Sequence, residues 1–477
     1  MRKTKIICTL GPATDNEKTM GELILAGMDV ARFNFSHGDH PEHAKRLDTL
    51  VKLREELNVP VATLLDTKGP EVRLGTFKDG LKPYLNPGQT FTLTSRDIIG
   101  DESQVSISYP SLPKDIDIGT SILIDDGLVE LTVTEINDTD IVCKVINGGL
   151  ISDRKGVNVP GVELSIPFIS EKDKSDIAFA VENDFDFVAT SFVRTADDVR
   201  QMRDILDEHN SHMKIIAKIE NLQGVNNIDE IIQEADGVMI ARGDLGVEIP
   251  YEELPAIQKM IIEKVYHSGK HVITATQMLD SMIHNPRPTR AEATDVANAI
   301  YDGTSVIMLS GETSIGKYPV EALKTMVKIA RKTESDIDYK QHFHILPESE
   351  NPNVTDAISR ATLTTAHNLD AKMIITVTTS GGTARMVSRY RPSCPIIACT
   401  TDPKVLRQLK MSWGVTPLFM EVEEDTFELF DHAIEIICQA GYLNKGDLVV
   451  LTAGVPLAVT GTTNMIKVQI AGETCSE

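Results

Sequence analysis

Lys214-Ile-Ile-Ala-Lys-Ile-Glu220 and Gly237-Val-Met-Ile-Ala-Arg-Gly243 are short apolar runs that end in polar residues, with one helix-sized segment between them. That is the pattern of a βα repeat, in which parallel strands alternate with covering helices. The pattern recurs along the chain. It predicts strands at Lys5–Leu10, Asp29–Asn34, Val61–Asp66, Asp186–Phe192, Lys214–Glu220, Gly237–Gly243, His271–Thr276 and Ser305–Ser310. Amphipathic segments lie between them at Glu17–Ala26, Pro41–Glu56, Ala196–His209, Leu254–His267 and Arg290–Tyr301. Eight such units predict an α/β fold built on a closed (β/α)8 TIM barrel, with an open doubly wound sheet as the competitor. The barrel accounts better for the chemistry, because most polar motifs fall at or just after a strand end and so share one rim.

The two opening runs carry the chemistry as well. Side chains alternate along a strand, so Lys218 and Glu220 point the same way. Neighbouring parallel strands would bring Glu220 and Asp244 to one edge. Two hard carboxylates suit Mg²⁺ or Mn²⁺, and the ammonium beside them suits a phosphate or a developing oxyanion. Unrelated acids at two strand ends are the plainer alternative.

Other motifs end other strands. Arg32, Asn34 and Ser36 share a face of the second strand. Arg32 offers a donor fork for phosphate or carboxylate, and Asn34 and Ser36 offer neutral oxygens that suit a monovalent cation. For Ser36 alone, a helix cap explains as much. Asp66 adds an anionic ligand after the third strand, and Arg73 adds a cation beyond a Gly69-Pro70 hinge. Thr276 ends the seventh strand and presents a hydroxyl to the pocket, although β-propensity alone would also place a threonine there. Gly311-x₄-Gly316-Lys317 imitates a phosphate loop, but Tyr318 stands where the Mg²⁺-binding hydroxyl belongs. His37, His40 and His43 read as a solvated helix entry rather than a zinc site.

Between the third and fourth strands the rhythm breaks. Residues 70–167 are rich in turns and β-formers and predict a separate β-domain of short antiparallel strands, placed as a lid over the rim. The barrel then comprises 1–69 and 168–340. A polar linker is expected at Ser335–Pro352, followed by a C-terminal α/β domain at 341–477. In that domain Thr378-Thr379-Ser380-Gly381-Gly382-Thr383 joins a strand to a helix. Glycines and hydroxyls over a helix N-terminus make a phosphate cradle, though a plain βα turn would look the same. A second loop, Gly454–Thr463, could close over it.

Bulk properties narrow the class. The net charge of −23 argues against nucleic-acid or anionic-membrane partners, since there is no basic field to release counterions. The cysteines are scattered without a C-x-x-C pair, which predicts a reduced, cytoplasmic chain. No stretch approaches the roughly 18 apolar residues of a membrane span.

Taken together, Arg32–Gly38, Leu65–Arg73, Lys218–Asn221, Ala241–Gly246 and Thr274–Met282 resemble the pyruvate kinase family in order and spacing. The resemblance covers the whole chain, which would begin directly at the barrel and lack an extra C-terminal domain. It implies transfer of the phosphoryl group of phosphoenolpyruvate to ADP, giving ATP and pyruvate, the last step of glycolysis. Glu220 and Asp244 would hold Mg²⁺ or Mn²⁺. Lys218 and Arg32 would bear on the phosphoryl group in flight. Gly243 and Asp244 would offer backbone N–H groups to the substrate carboxylate, and Thr276 would border the carbon that is protonated. Asn34, Ser36, Asp66 and Thr67 would cage K⁺, and Glu71 implies that K⁺ is required. Asn34, His37, Arg73 and Lys155 would face the nucleotide. The loop Thr378–Thr383 would take a phosphorylated allosteric effector, and a homotetramer is implied. The competing activity is a metal-dependent, enolate-forming carbon–carbon lyase on a similar barrel, which would need neither the K⁺ cage nor the nucleotide lid. A non-catalytic sensor working through the C-terminal loop is a third reading.

Overall fold

The computed structural model describes residues 1–345, 353–423, 425–456, 461 and 463–472. Eight parallel strands close into a barrel: β1 (Lys5–Thr9), β2 (Val30–Asn34), β3 (Ala62–Asp66), β4 (Phe187–Thr190), β5 (Lys214–Ile219), β6 (Gly237–Ala241), β7 (His271–Ala275) and β8 (Val306–Leu309). Each strand pairs with its neighbours in sequence, and β8 returns to β1 with Ile7 opposite Met308. Nearly every barrel-strand residue is buried, as parallel strands covered on both faces require. Six of the eight strands end one or two residues earlier than the apolar runs suggest, while β2 and β3 end at Asn34 and Asp66 as expected.

The covering helices start where the sequence supplies caps. Asn16 accepts a hydrogen bond from the Thr19 N–H at 2.8 Å, and Glu17–Ala26 follows. Thr289 and Glu292 form a reciprocal capping box at the head of Arg290–Tyr301. The false phosphate loop is a packing device. A Cβ on Gly316 would sit 2.4 Å from the Glu312 carbonyl oxygen.

A separate sheet domain lies between β3 and β4. Its six-stranded sheet runs Val157–Asn158, Ser121–Ile124, Val129–Ile136, Asp140–Asn147, Thr90–Thr94, Gln104–Ser106. All pairs are antiparallel except the last, which is parallel and departs from the all-antiparallel expectation. Phe91, Leu93, Ile122, Leu131, Val133 and Ile141 form part of its own core.

The C-terminal α/β domain contains β9 (Met373–Val377), β10 (Ile396–Thr400), β11 (Val415–Phe419), β12 (Leu448–Gly454) and β13 (Thr463–Ile470), in the order β11-β10-β9-β12-β13. Only β13 is antiparallel to its neighbour. The expected linker is partly helical. One helix runs to Asp336 and another covers Tyr339–Ile345, while residues 346–352 lie outside the described residues. An ion pair and a hydrogen bond to backbone fix this domain to the barrel. Arg407 Nε lies 2.8 Å from Asp186 Oδ1, and the Lys5 ammonium donates to the Val415 carbonyl at 2.6 Å.

Packing divides the chain into two compact units. One is Met1–Leu65 with Asn183–Val188 and Ile262–Glu477, and the other is Asp66–Glu182 with Ala189–Ile261. Among the described residues no helix is long and apolar enough to cross a membrane.

Candidate active site

In the second unit, several chemistry-bearing side chains meet at one point. Asp66 closes β3, Ser191 follows β4, and Lys218 and Glu220 lie at the end of β5. The Lys218 ammonium is 2.9 Å from Glu220 Oε1, 3.1 Å from Asp66 Oδ1 and 2.7 Å from Ser191 Oγ. All four residues are buried. Burial drives the Glu220 carboxyl upward from the usual range, Asp244 and Asp66 push the same way, and Lys218 opposes them. The Phe192 N–H donates to Glu220 Oε2 at 2.6 Å, from a backbone turned to φ +56°. Crowded carboxylates of this kind favour a bound cation.

Asp244 is placed differently from the strand end expected of it. β6 stops at Ala241, and Asp244 is the third residue of a short helix, Arg242–Glu248. That helix has no side-chain cap. Its N-terminus, with Gly243 and Asp244, is therefore suited to an anion.

A cleft of about 410 Å³ opens beside these residues, lined among others by Arg73, Lys155, Asp126, Asp244, Phe192 and Leu222. Arg73 Nε lies 2.7 Å from Glu71 Oε2, and Lys155 Nζ lies 2.7 Å from Asp125 Oδ1. Burial raises the Asp126 carboxyl, and the charges of Asp244 and Asp125 raise it further.

Thr67 also lies in the second unit, where its N–H donates to the Ala189 carbonyl at 3.0 Å, and the first unit holds the remaining predicted positions. Arg32, near the end of β2, is buried and donates to Thr9 Oγ1 at 2.9 Å. Asn34 Oδ1 accepts the Ser36 N–H at 3.1 Å. The histidine turn is not simply solvated. His43 is buried, stacks on Phe35 with ring centroids 4.1 Å apart, and lies 2.9 Å from the His37 carbonyl. Thr276 follows β7 rather than belonging to it. It sits at φ +67°, with Gln277 at φ +53°, and its hydroxyl donates to the Ala275 carbonyl at 2.6 Å. A β-branched residue is least at home in that conformation, so β-propensity does not explain it. Left-handed strain in such residues concentrates at functional sites.

In the C-terminal domain, Gly381 turns at φ +76° to start the helix Gly382–Arg389. Arg385 Nη1 donates to the Ser380 carbonyl at 3.1 Å, and Thr383 and Thr463 share a hydrogen bond at 2.8 Å. Part of the loop Gly454–Thr463 lies outside the described residues.

Sequence reasoning missed Ser191, Phe192 and Asp126. A serine one residue past a strand carries no motif. The Asp125-Asp126-Gly127 turn reads as an ordinary hairpin signal.

The comparisons with known proteins bear on the same regions. A family model described as "Pyruvate kinase, barrel domain" matches residues 1–323, and one described as "Pyruvate kinase, alpha/beta domain" matches residues 356–469. The chain belongs to the pyruvate kinase family. It is 52% identical over 472 residues to the pyruvate kinase of Clostridium acetobutylicum, covering 98% of this chain and 100% of that one. It is 49% identical over 475 residues to that of Geobacillus stearothermophilus, covering 99% and 81%. A crystal structure of a pyruvate kinase from Cryptosporidium parvum superposes with a TM-score of 0.93 at 42% identity, covering 98% of this chain and 96% of that one. The family transfers a phosphoryl group from phosphoenolpyruvate to ADP and depends on metal. The lyase alternative finds no support among these relatives.

Proposed function

We propose that the transfer takes place at the Asp66–Lys218–Glu220 cluster. The observation that carries this reading is a buried ammonium held by two carboxylates in the unit whose cleft is lined by Arg73 and Lys155. Phosphoryl transfer demands positioning and charge neutralisation and little covalent help. Phosphoenolpyruvate and ADP are both anionic while the chain carries −23, so the neutralising charge has to be local. Lys218 would neutralise the phosphoryl group in flight, with Arg32 gripping the same group. Gly243 and Asp244 would receive the substrate carboxylate, and Thr276 would border the methylene carbon of the enolate that takes up a proton. Asn34, His37, Arg73 and Lys155 would face the nucleotide. Pyruvate formation from phosphoenolpyruvate should require ADP, and ADP-independent formation would sink the reading.

Glu220 and Asp244 would hold Mg²⁺ or Mn²⁺. Among the described residues no three His, Cys, Asp or Glu side chains are grouped to hold a metal ion. An ion on two carboxylates would therefore complete its shell with water and substrate oxygens, the habit of Mg²⁺. Such an ion supplies a Lewis acid for phosphoryl and enolate oxygens. Asn34, Ser36, Asp66 and Thr67 would hold K⁺. Glu71 bears on that requirement. A Glu71→Lys substitution would set a fixed ammonium beside Arg73 and should lower the K⁺ concentration needed for half-maximal activity. An unchanged K⁺ titration would count against the role given to position 71.

The loop Thr378–Thr383 would bind a phosphorylated effector through its hydroxyls and helix N-terminus. A sugar phosphate or AMP should then raise the thermal midpoint, and Thr383→Ala should weaken that shift. A midpoint unmoved by any of these ligands would remove the effector reading. A cytoplasmic homotetramer completes the proposal.

A further inference from the structure

We infer that Ser191 is a positioning residue for Lys218, and that its hydroxyl is the neutral anchor the ammonium keeps while its contact with Glu220 changes. The inference rests on the phosphoryl role proposed for Lys218.

A serine hydroxyl has one proton to give. Ser191 Oγ is 2.7 Å from the Thr67 carbonyl and 3.3 Å from Asp66 Oδ1. The shorter contact takes the proton, which leaves the oxygen lone pairs facing Lys218 Nζ at 2.7 Å. Ser191 therefore accepts from the ammonium. Its own place is fixed from several sides. The Ser191 N–H donates to Thr67 Oγ1 at 3.1 Å, and the Thr67 N–H donates to the Ala189 carbonyl at 3.0 Å. Two residues on, the Val193 N–H donates to the Lys218 carbonyl at 3.3 Å. The loop after β3 presses on the same side chain. Gly69 turns at φ +69°, and a Cβ there would lie 2.7 Å from Ser191 Cβ. The hydroxyl has little room to move.

Lys218 has three N–H donors, and Ser191, Glu220 and Asp66 are in reach of them. An ammonium with three acceptors can offer a substrate oxygen a donor only by releasing one of them. Glu220 is the acceptor proposed to turn to a divalent ion. Ser191 carries no charge for such an ion to attract, so it stays with the lysine. Together with Asp66 it aims the freed N–H. Lys218 is held where phosphoryl transfer needs it by a neutral group whose own proton goes to the Thr67 carbonyl.

A double-mutant cycle on the full-length chain tests this. Ser191→Ala should lower kcat by roughly 10- to 100-fold, the order of loss that misplacing a catalytic group by about 1 Å produces. The KM values for phosphoenolpyruvate and ADP should change little. In a Lys218→Met background the same substitution should cost nothing further, because the group it positions has gone. Ser191→Cys, which fills the site with a weak acceptor, should resemble Ser191→Ala in kcat and should show whether packing alone is at issue. Equal losses from Ser191→Ala in both backgrounds would overturn the positioning role and leave that of Lys218 standing. A normal kcat in Lys218→Met alone would overturn both.

Discussion

Replacing Lys218 with methionine should lower kcat for ATP formation by about 10²–10³-fold, the typical loss when one preorganised charge-stabilising donor is removed. The side chain keeps most of its length and loses its charge. The buried carboxylates Asp66 and Glu220, which the ammonium now touches at 3.1 and 2.9 Å, would face each other without a cation. A divalent ion on Glu220 would still relieve that crowding, so metal binding should persist. Enolisation of pyruvate needs the metal and a proton path but no phosphoryl transfer. Exchange of the pyruvate C3 protons should therefore continue while ATP formation fails. The two assays on one preparation, with the thermal midpoint checked against the parent, separate a lost phosphoryl clamp from a lost fold. If proton exchange vanishes as well, Lys218 has been given the wrong role.

The parts of this site legible in the sequence are those whose signals are local. Lys218 and Glu220 follow from alternation along an apolar run, and Asn16 and Thr289 announce their helices with capping side chains. Asp244 reads as a strand-end residue because its helix, Arg242–Glu248, follows Ala241 with no capping side chain, so nothing in the sequence marks where the strand stops. β11 gives little strand signal in the sequence because Pro417 interrupts it. A proline demotes a strand to the sheet edge, and the edge is where β11 lies. His43 reads as a polar turn residue because neither composition nor spacing reveals its stacking on Phe35. Ser191 is the most instructive omission. Its importance comes from Thr67 and Lys218, 124 and 27 residues away in the chain. Only closure of a parallel barrel brings such partners together.

The second large effect concerns stability, and it lies far from the chemistry. Asp29 is buried between β1 and β2, where it pairs with Arg2, lies 3.0 Å from Lys410 Nζ and accepts the Ile6 N–H at 2.9 Å. Burial alone would raise its carboxyl, but Arg2, Lys410 and Lys5 overcome this and hold it at about 2. A carboxylate lowered on folding stabilises above its unfolded value and loses that contribution as pH falls through the folded one. Asp29→Ala leaves Arg2 and Lys410 facing an apolar gap with Lys5 nearby, and should cost about 3–5 kcal/mol, the usual penalty for breaking a buried pair from one side. The deficit should shrink as pH falls from about 4 toward 2, where Asp29 is protonated in the parent as well. It should also shrink at alkaline pH. Burial holds the Lys5 ammonium down to about 7, with Asp29 pulling the other way. Without Asp29 that lysine would fold in its neutral form even below about pH 7, a cost the parent escapes there, whereas above about 7 both fold with it neutral. Thermal midpoints of parent and variant across this range should therefore differ most between about pH 4 and 7, the window set by the two shifted groups. A difference that stays constant with pH would mean that Asp29 acts through packing rather than through its charge.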